Sequence, residues 1–179
     1  MDIGQKLKKP IEPVTILFKD DGITPNNPRL PLIYYRGPVR LEGASDPAVV
    51  FEDLFHRHGW GNSWRNGIYD YLHYHSQIHE VLGITRGEAR VRFSGDSGEI
   101  VDLHAGDVAI LPAGTGHQRL AASADLLVVG AYPPEGAFDL CRGSEAEHAR
   151  AVQSISRVPV PASDPVYGEG GGLTQIWPT

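Results

Sequence analysis

Residues 71–80, YLHYHSQIHE, place three histidines and a glutamate within ten positions. Imidazole and carboxylate are the donors that a borderline divalent ion accepts, so the question is which of these side chains share a face. His73 and His75 are two apart and point the same way on a strand. His79 stands an even step from His75 and Glu80 an odd one. An uninterrupted strand therefore sends Gln77 and His79 to the face of the pair. A strand interrupted before Glu80 would put Glu80 there instead. From the residues alone both readings stand.

Such a cluster needs strands to carry it, and the chain is rich in them. The 21 Gly and 14 Pro argue against a helical protein and for many short strands joined by turns. From Ile68 onward the period is two, through GIYDYLHYH, HEVLGITRG, EARVRFSGDSG, EIVDLHAGD, VAILPAGTGH and LLVVGAYPP. Ala89, Val91 and Phe93 alternate with Arg90 and Arg92, as a half-exposed strand requires. Upstream, VTILF (14–18) reads as a strand, and LIYYRGPV as a short strand or an arm lying on the body of the fold. One helix is expected from about Asp46 to His58. Its signals are a capping residue at Ser45 or Asp46, Pro47 in the first turn, and a stripe of Val50, Phe51, Leu54 and Phe55. SEAEHARAVQSI reads as a second short helix. The Pro- and Gly-rich tail is expected to pack across the body through Tyr167, Leu173, Ile176 and Trp177. Regular spacing and short turns suggest a barrel or jelly roll.

Bulk properties narrow the classes of function. With 41% hydrophobic and 21% charged residues and a net charge of −6, the chain reads as a soluble globular domain. Mild acidity excludes a nucleic-acid footprint, which needs clustered Lys and Arg. The cluster Lys6, Lys8 and Lys9 reads as a solvated end. No apolar run has the length of a membrane span or a secretory signal, so no membrane partner and a cytoplasmic setting are expected. The lone Cys141 cannot form an internal disulfide and reads as inert. His56 and His58 read as surface or core-edge residues of the helix, and Trp60 and Trp64 chiefly as packing beneath it, with a cover over the barrel mouth as the alternative.

A wider pattern surrounds the opening stretch. Gly67, His73-x-His75, Glu80 and Gly87 are followed by Gly106, Pro112-x-Gly114 and His117. This resembles the two motifs of the cupin superfamily, G-x5-H-x-H-x3,4-E-x6-G and G-x5-P-x-G-x2-H-x3-N. Nine of the ten defined positions match, the exception being Ala121 in place of Asn. Five stretches match more closely still: FKDDGITPNNPRLPLIYYRG, FHRHGW, YHSQIHEVLGITRGEARVRFSG, GDVAILPAGTGHQRL and DPVYGEGGGLTQIW. Together they resemble the YjlB-like branch of cupins over nearly the whole chain.

The resemblance implies an all-β, single-domain double-stranded β-helix, with an N-terminal arm and helix (1–66), a motif-bearing barrel core (67–134), and a C-terminal helix and tail (135–179). One or two short helices are expected in all. It implies one divalent transition metal, Fe, Mn, Ni, Co, Cu or Zn, held by His73, His75, Glu80 and His117. It favours Glu80 over His79, because it implies a turn at Ser76 and Gln77 that resets the alternation and sends Glu80, Leu82 and Ile84 inward. Three imidazoles and one carboxylate leave a six-coordinate ion room for water or substrate. A metal-dependent oxygenase, isomerase or decarboxylase acting on a small polar molecule then fits. A non-enzymatic metal- or small-ligand-binding module and a metal-free sugar-epimerase-like cupin are the alternatives. Tyr71, an even step before the ligand pair, and Gln118, next to His117, are candidates to face the substrate, with Phe93 on a neighbouring strand. Cupins are often dimers, so a homodimer is the assembly suggested, with the arm available to a neighbour's sheet edge.

Overall fold

The computed structural model describes residues 3–178; the outermost ends of the arm and the tail, residues 1, 2 and 179, lie outside them. A turn of helix α1 (Ile3–Lys6) precedes two strands, β1 (Val14–Ile16) and β2 (Leu32–Tyr35). Helix α2 (Pro47–Arg57) follows, then β3 (Gly61–Asn66), β4 (Glu80–Arg86), β5 (Glu88–Phe93), β6 (Glu99–His104), β7 (Val108–Leu111), β8 (His117–Ala122) and β9 (Leu127–Tyr132). The chain ends in α3 (Glu145–Ser154), a 3-10 turn (Ile155–Arg157) and α4 (Gly172–Ile176). Helical segments are thus more numerous than the one or two expected, because the arm and the tail each contain a short one.

Six strands in the order β1-β2-β7-β4-β9-β3 make one antiparallel sheet, and β6-β5-β8 make a second. The sheets face each other across a core of Leu82, Ile84, Leu111 and Val128 on one side and Val91, Phe93, Val101 and Leu103 on the other. The outer face of the larger sheet carries Ile33, Val81, Ile110 and Val129, covered by α2 and by Leu173 and Trp177 of the tail. This is why β4 is buried on both faces while β5 alternates.

Helix α2 forms where its stop and start signals fall. The Asp46 carboxylate accepts from the Ala48 amide at 3.0 Å, Pro47 occupies the first turn, and Phe51, Leu54 and Phe55 are buried. Phe51 packs where Gly83 of β4 has no side chain to hold it off.

The stretch GIYDYLHYH does not form the regular strand that its alternation suggests. Between Asn66 and Glu80 there are only isolated bridges, His73 to His117 and Tyr74 to Cys141. The chain is crossing between the sheets here, and Tyr69 and Tyr71, two residues apart, stack on each other with centroids 4.8 Å apart. The arm is also tied to its own chain: β1 pairs with β2, and the Lys8 amide donates to the Pro38 carbonyl at 2.9 Å.

Candidate metal centre

Four side chains converge at one end of the space between the sheets. His73 is bridged to His117, which opens β8, so these two backbones are cross-strand neighbours. Gly106 and Gly114 make the turns that return the chain to His117, both at positive φ (97° and 94°), where a side chain is strained. At Gly114 a Cβ would also press on the Asn26 carbonyl. Glu80 opens β4 opposite Leu111 and points inward with it.

Ligand-type nitrogens of His73, His75 and His117 lie within 4.8 Å of one another, and all three residues are buried. Glu80 Oε2 stands 3.4 Å from His75 Nε2 and 3.5 Å from His117 Nε2. The other ring nitrogen of each histidine is already committed. Nδ1–H donates to the Tyr71 carbonyl at 3.1 Å from His73 and to the Thr115 carbonyl at 3.2 Å from His117. His75 Nδ1 is bonded to the carbonyl of Asp139. These bonds fix the tautomers and turn three Nε2 lone pairs toward one centre, the arrangement by which outer contacts orient metal-binding imidazoles. Burial depresses the pKa of His73 and His117, which keeps them neutral. Burial acts in the same direction on His75, but the Glu80 and Asp139 contacts outweigh it and leave its pKa raised.

Asp139 holds this arrangement from behind: its carboxylate accepts from the Ser76 amide at 2.8 Å, the Ser76 hydroxyl at 2.6 Å and the Gln77 amide at 3.2 Å. That bracket stabilises the turn which resets the strand parity. In consequence His79 faces the opposite way. It is fully buried, accepts from the Ala113 amide through Nδ1 at 2.9 Å, and donates from Nε2 to the Pro159 carbonyl at 3.2 Å. Both nitrogens are used, and neither faces the centre.

A cavity of about 250 Å³ opens from the four side chains. Trp64, Ile68, Leu82, Tyr132 and Phe138 form much of its wall. Trp64 lies directly opposite Gly130 in register, and its indole occupies the space a side chain would fill there. From that position Nε1–H donates to the Tyr132 hydroxyl at 2.9 Å. Burial and the nearby Glu80 carboxylate push the Tyr132 pKa upward. Phe138 lies over His75 with centroids 5.0 Å apart.

The other expected site residues fall elsewhere. Tyr71 packs between Tyr69 and the Arg142 guanidinium, which lies 3.7 Å over its ring, and does not line the cavity. Gln118 turns its amide to the Asp70 carbonyl at 2.9 Å, away from the cavity. Phe93 is core, directly opposite His117. Trp60 packs under α2 as expected, whereas Trp64 does not. Tyr132 and Phe138 had signals in the sequence: Tyr132 shares the parity of Val128 on β9, and Phe138 is an isolated aromatic in a Pro- and Gly-rich loop. Burial, with Asp139 adding to it, raises the Cys141 thiol to about 12, which leaves it unreactive at neutral pH.

Two facing antiparallel sheets with inward histidines at one end define a cupin, a double-stranded β-helix. A scan against known protein-family profiles finds no match. The chain is 39% identical over 166 residues to the uncharacterized protein YjlB of Bacillus subtilis, covering 93% of this chain and 97% of the relative, and it belongs to the YjlB family of cupins. Among solved structures it is similar to a double-stranded β-helix protein from Klebsiella pneumoniae at 15% identity and TM-score 0.37, covering 80% of this chain and 89% of that one. It is also similar to acireductone dioxygenase from Bacillus anthracis, solved with cadmium in its active centre, at 19% identity and TM-score 0.36 over 48% of this chain and 59% of that one. Among the described residues no helix is long and apolar enough to cross a membrane.

Proposed function

We propose that the protein binds one divalent transition ion through His73, His75, His117 and Glu80 and uses it to act on a small molecule in the adjoining cavity. The observation that carries this reading is the convergence of three pre-oriented imidazoles with one buried carboxylate. The donor set suits Fe, Mn, Ni, Co, Cu or Zn. A bound ion would act as a Lewis acid toward a ligand oxygen, chemistry shared by oxygenation, isomerisation and decarboxylation. The chain's own residues then hold the ligand nitrogens in place, exclude water with the aromatic wall, and keep the Tyr132 hydroxyl, held by Trp64, near the Glu80 carboxylate.

A binding module without turnover is the second reading. It is favoured by the commitments of two polar groups at the cavity: the Tyr132 hydroxyl accepts from Trp64 and its pKa is raised, and Arg65 is engaged by Glu52. Turnover of any candidate ligand by the metal-loaded protein separates the two.

The metal site itself is tested by elemental analysis and competitive metal titration. Wild-type protein should hold about one equivalent of ion. Glu80→Gln should weaken the affinity at least about tenfold, since loss of even a ligand's hydrogen-bond partner costs ~10–100-fold. His79→Ala should change affinity little and lower thermal stability. Failure of the wild-type protein to take up any of the six metals would remove the reading, and the reverse order of the two variants would exchange Glu80 for His79.

A further inference from the structure

The charges around the cavity say what kind of ligand it takes. Its lining carries two fully ionic side chains, Glu80 and Arg65. Glu80 belongs to the metal centre. The Arg65 guanidinium is fixed away from any ligand, with Nε 2.7 Å from Glu52 Oε1, Nη2 2.7 Å from Glu52 Oε2 and Nη1 2.8 Å from Asp46 Oδ2. Arg142, whose charge reaches His73, lies over the Tyr71 ring outside the lining. No uncommitted cation therefore lines the cavity among the described residues. A second carboxylate or a phosphate on a ligand would be desolvated there without a counter-charge.

The rest of the wall is mostly apolar; its uncharged polar groups are the Asn66 amide, whose oxygen accepts from the Gly67 backbone amide, and the hydroxyls of Tyr69 and Tyr132. Leu82, Ile68 and the rings of Trp64, Tyr69, Tyr132 and Phe138 supply the apolar part. Phe138 is 61% exposed, yet its ring stands at the cavity and meets the rings of His75 and Tyr132 at 5.0 and 5.8 Å. An exposed ring in the lining of a cavity is placed to lie against the body of a ligand bound there. The volume, about 250 Å³, is just below the usual small-molecule range of ~300–1,000 Å³, so the ligand is compact.

The geometry points to an amphiphilic chelator as the ligand of this site: one metal-binding oxygen pair, such as an α-hydroxy carboxylate, joined to a single uncharged aromatic or branched aliphatic body lying against Phe138 and Trp64. This rests on the metal-site reading above. It excludes dicarboxylates and phosphorylated compounds as preferred ligands and narrows the expected small polar molecule to one with a polar head alone.

Cobalt(II)-loaded protein, followed by its visible absorption, tests this with three probes that share one head: lactate, mandelate and malate. Mandelate should bind about tenfold tighter than lactate, and malate no tighter than lactate. Phe138→Ala, a change at an exposed position, should lower mandelate affinity roughly five- to tenfold, the scale of one lost aromatic contact, and leave lactate unchanged. Malate binding tightest, equal affinities for all three, no spectral response to any probe, or an unaltered mandelate affinity in Phe138→Ala would each overturn the inference while the metal site stands. Failure to take up cobalt would instead remove the metal site and the inference with it.

Discussion

At the scale of single residues, the adjacent pair His79 and Glu80 divides two kinds of work. Glu80 faces the ligand nitrogens, and His79 is sealed behind it with both ring nitrogens bonded to backbone. Burial depresses His79 to about 4 from its ordinary 6.5, the Pro159 carbonyl opposing it only in part. The folded state thus favours the neutral ring. Its contribution is complete above pH 6.5 and is lost as pH falls toward 4, where the unfolded chain binds the proton more readily. The interval corresponds to about 3 kcal/mol. The stability advantage of wild type over His79→Gln, whose side chain does not titrate, should therefore shrink by up to that amount between pH 7 and pH 4. Denaturant unfolding across that range measures it, and a difference that stays flat would show that His79 is free to protonate in the fold. The parity of this pair was half legible in the sequence. Alternation alone allowed either residue to face the centre. What settles the orientation is the Asp139 carboxylate capping the turn at Ser76 and Gln77 from 62 to 63 residues away, and no local pattern reports a contact of that separation.

At the scale of elements, the site depends on strands whose contribution lies in what they omit. Gly130 of β9 has no side chain, so the Trp64 indole of β3 folds over it and reaches Tyr132. In Gly130→Ala the new methyl would meet the indole ring and push it from the sheet. Overpacking of this kind costs roughly 1–3 kcal/mol. The variant should fold with lowered stability, shifted tryptophan emission and a changed cavity wall. Emission spectra and thermal melts check this, and an unperturbed spectrum would mean that the indole is not seated on Gly130. Alternation in EARVRF and the capped start of α2 made those elements readable, because each is set by neighbours close in sequence. Residues 67–75, GIYDYLHYH, read as a strand because their composition alternates, but that alternation serves a crossing between sheets, where His73 meets His117 and Tyr74 meets Cys141 through single bridges. Strand β3, hidden in GNSWRN, has only intermediate and exposed residues and shows no apolar alternation.

At the scale of the whole molecule, the tail and the metal centre lie on opposite faces of the same sheet and meet at one point. Trp177 packs against the His79 ring at 4.9 Å and donates from Nε1 to the Pro31 carbonyl at 2.9 Å. The tail's apolar residues were visible in its sequence, but its fastening was not. The fully buried Asp164 carboxylate accepts from the Tyr35 hydroxyl at 2.7 Å and from the amides of Val166, Tyr167 and Leu173 at 2.7, 3.0 and 3.0 Å. One aspartate in a Pro- and Gly-rich segment carries no periodic signal, and its four donors come from both β2 and the tail. Burial and this carboxylate push the Tyr35 pKa upward, so the phenol stays protonated and donating. Asp164→Ala would strand those donors inside the outer core, a loss on the order of 3–5 kcal/mol. Since the carboxylate lies on the far side of β4 from Glu80, protein that remains folded should bind metal as wild type does. Denaturant unfolding and limited proteolysis of the C-terminal segment should show the loss, and metal titration well below the unfolding midpoint should show none. Weakened metal affinity in folded Asp164→Ala protein would mean that the tail sets the position of Glu80 through Trp177 and His79, and that the two faces of β4 are coupled.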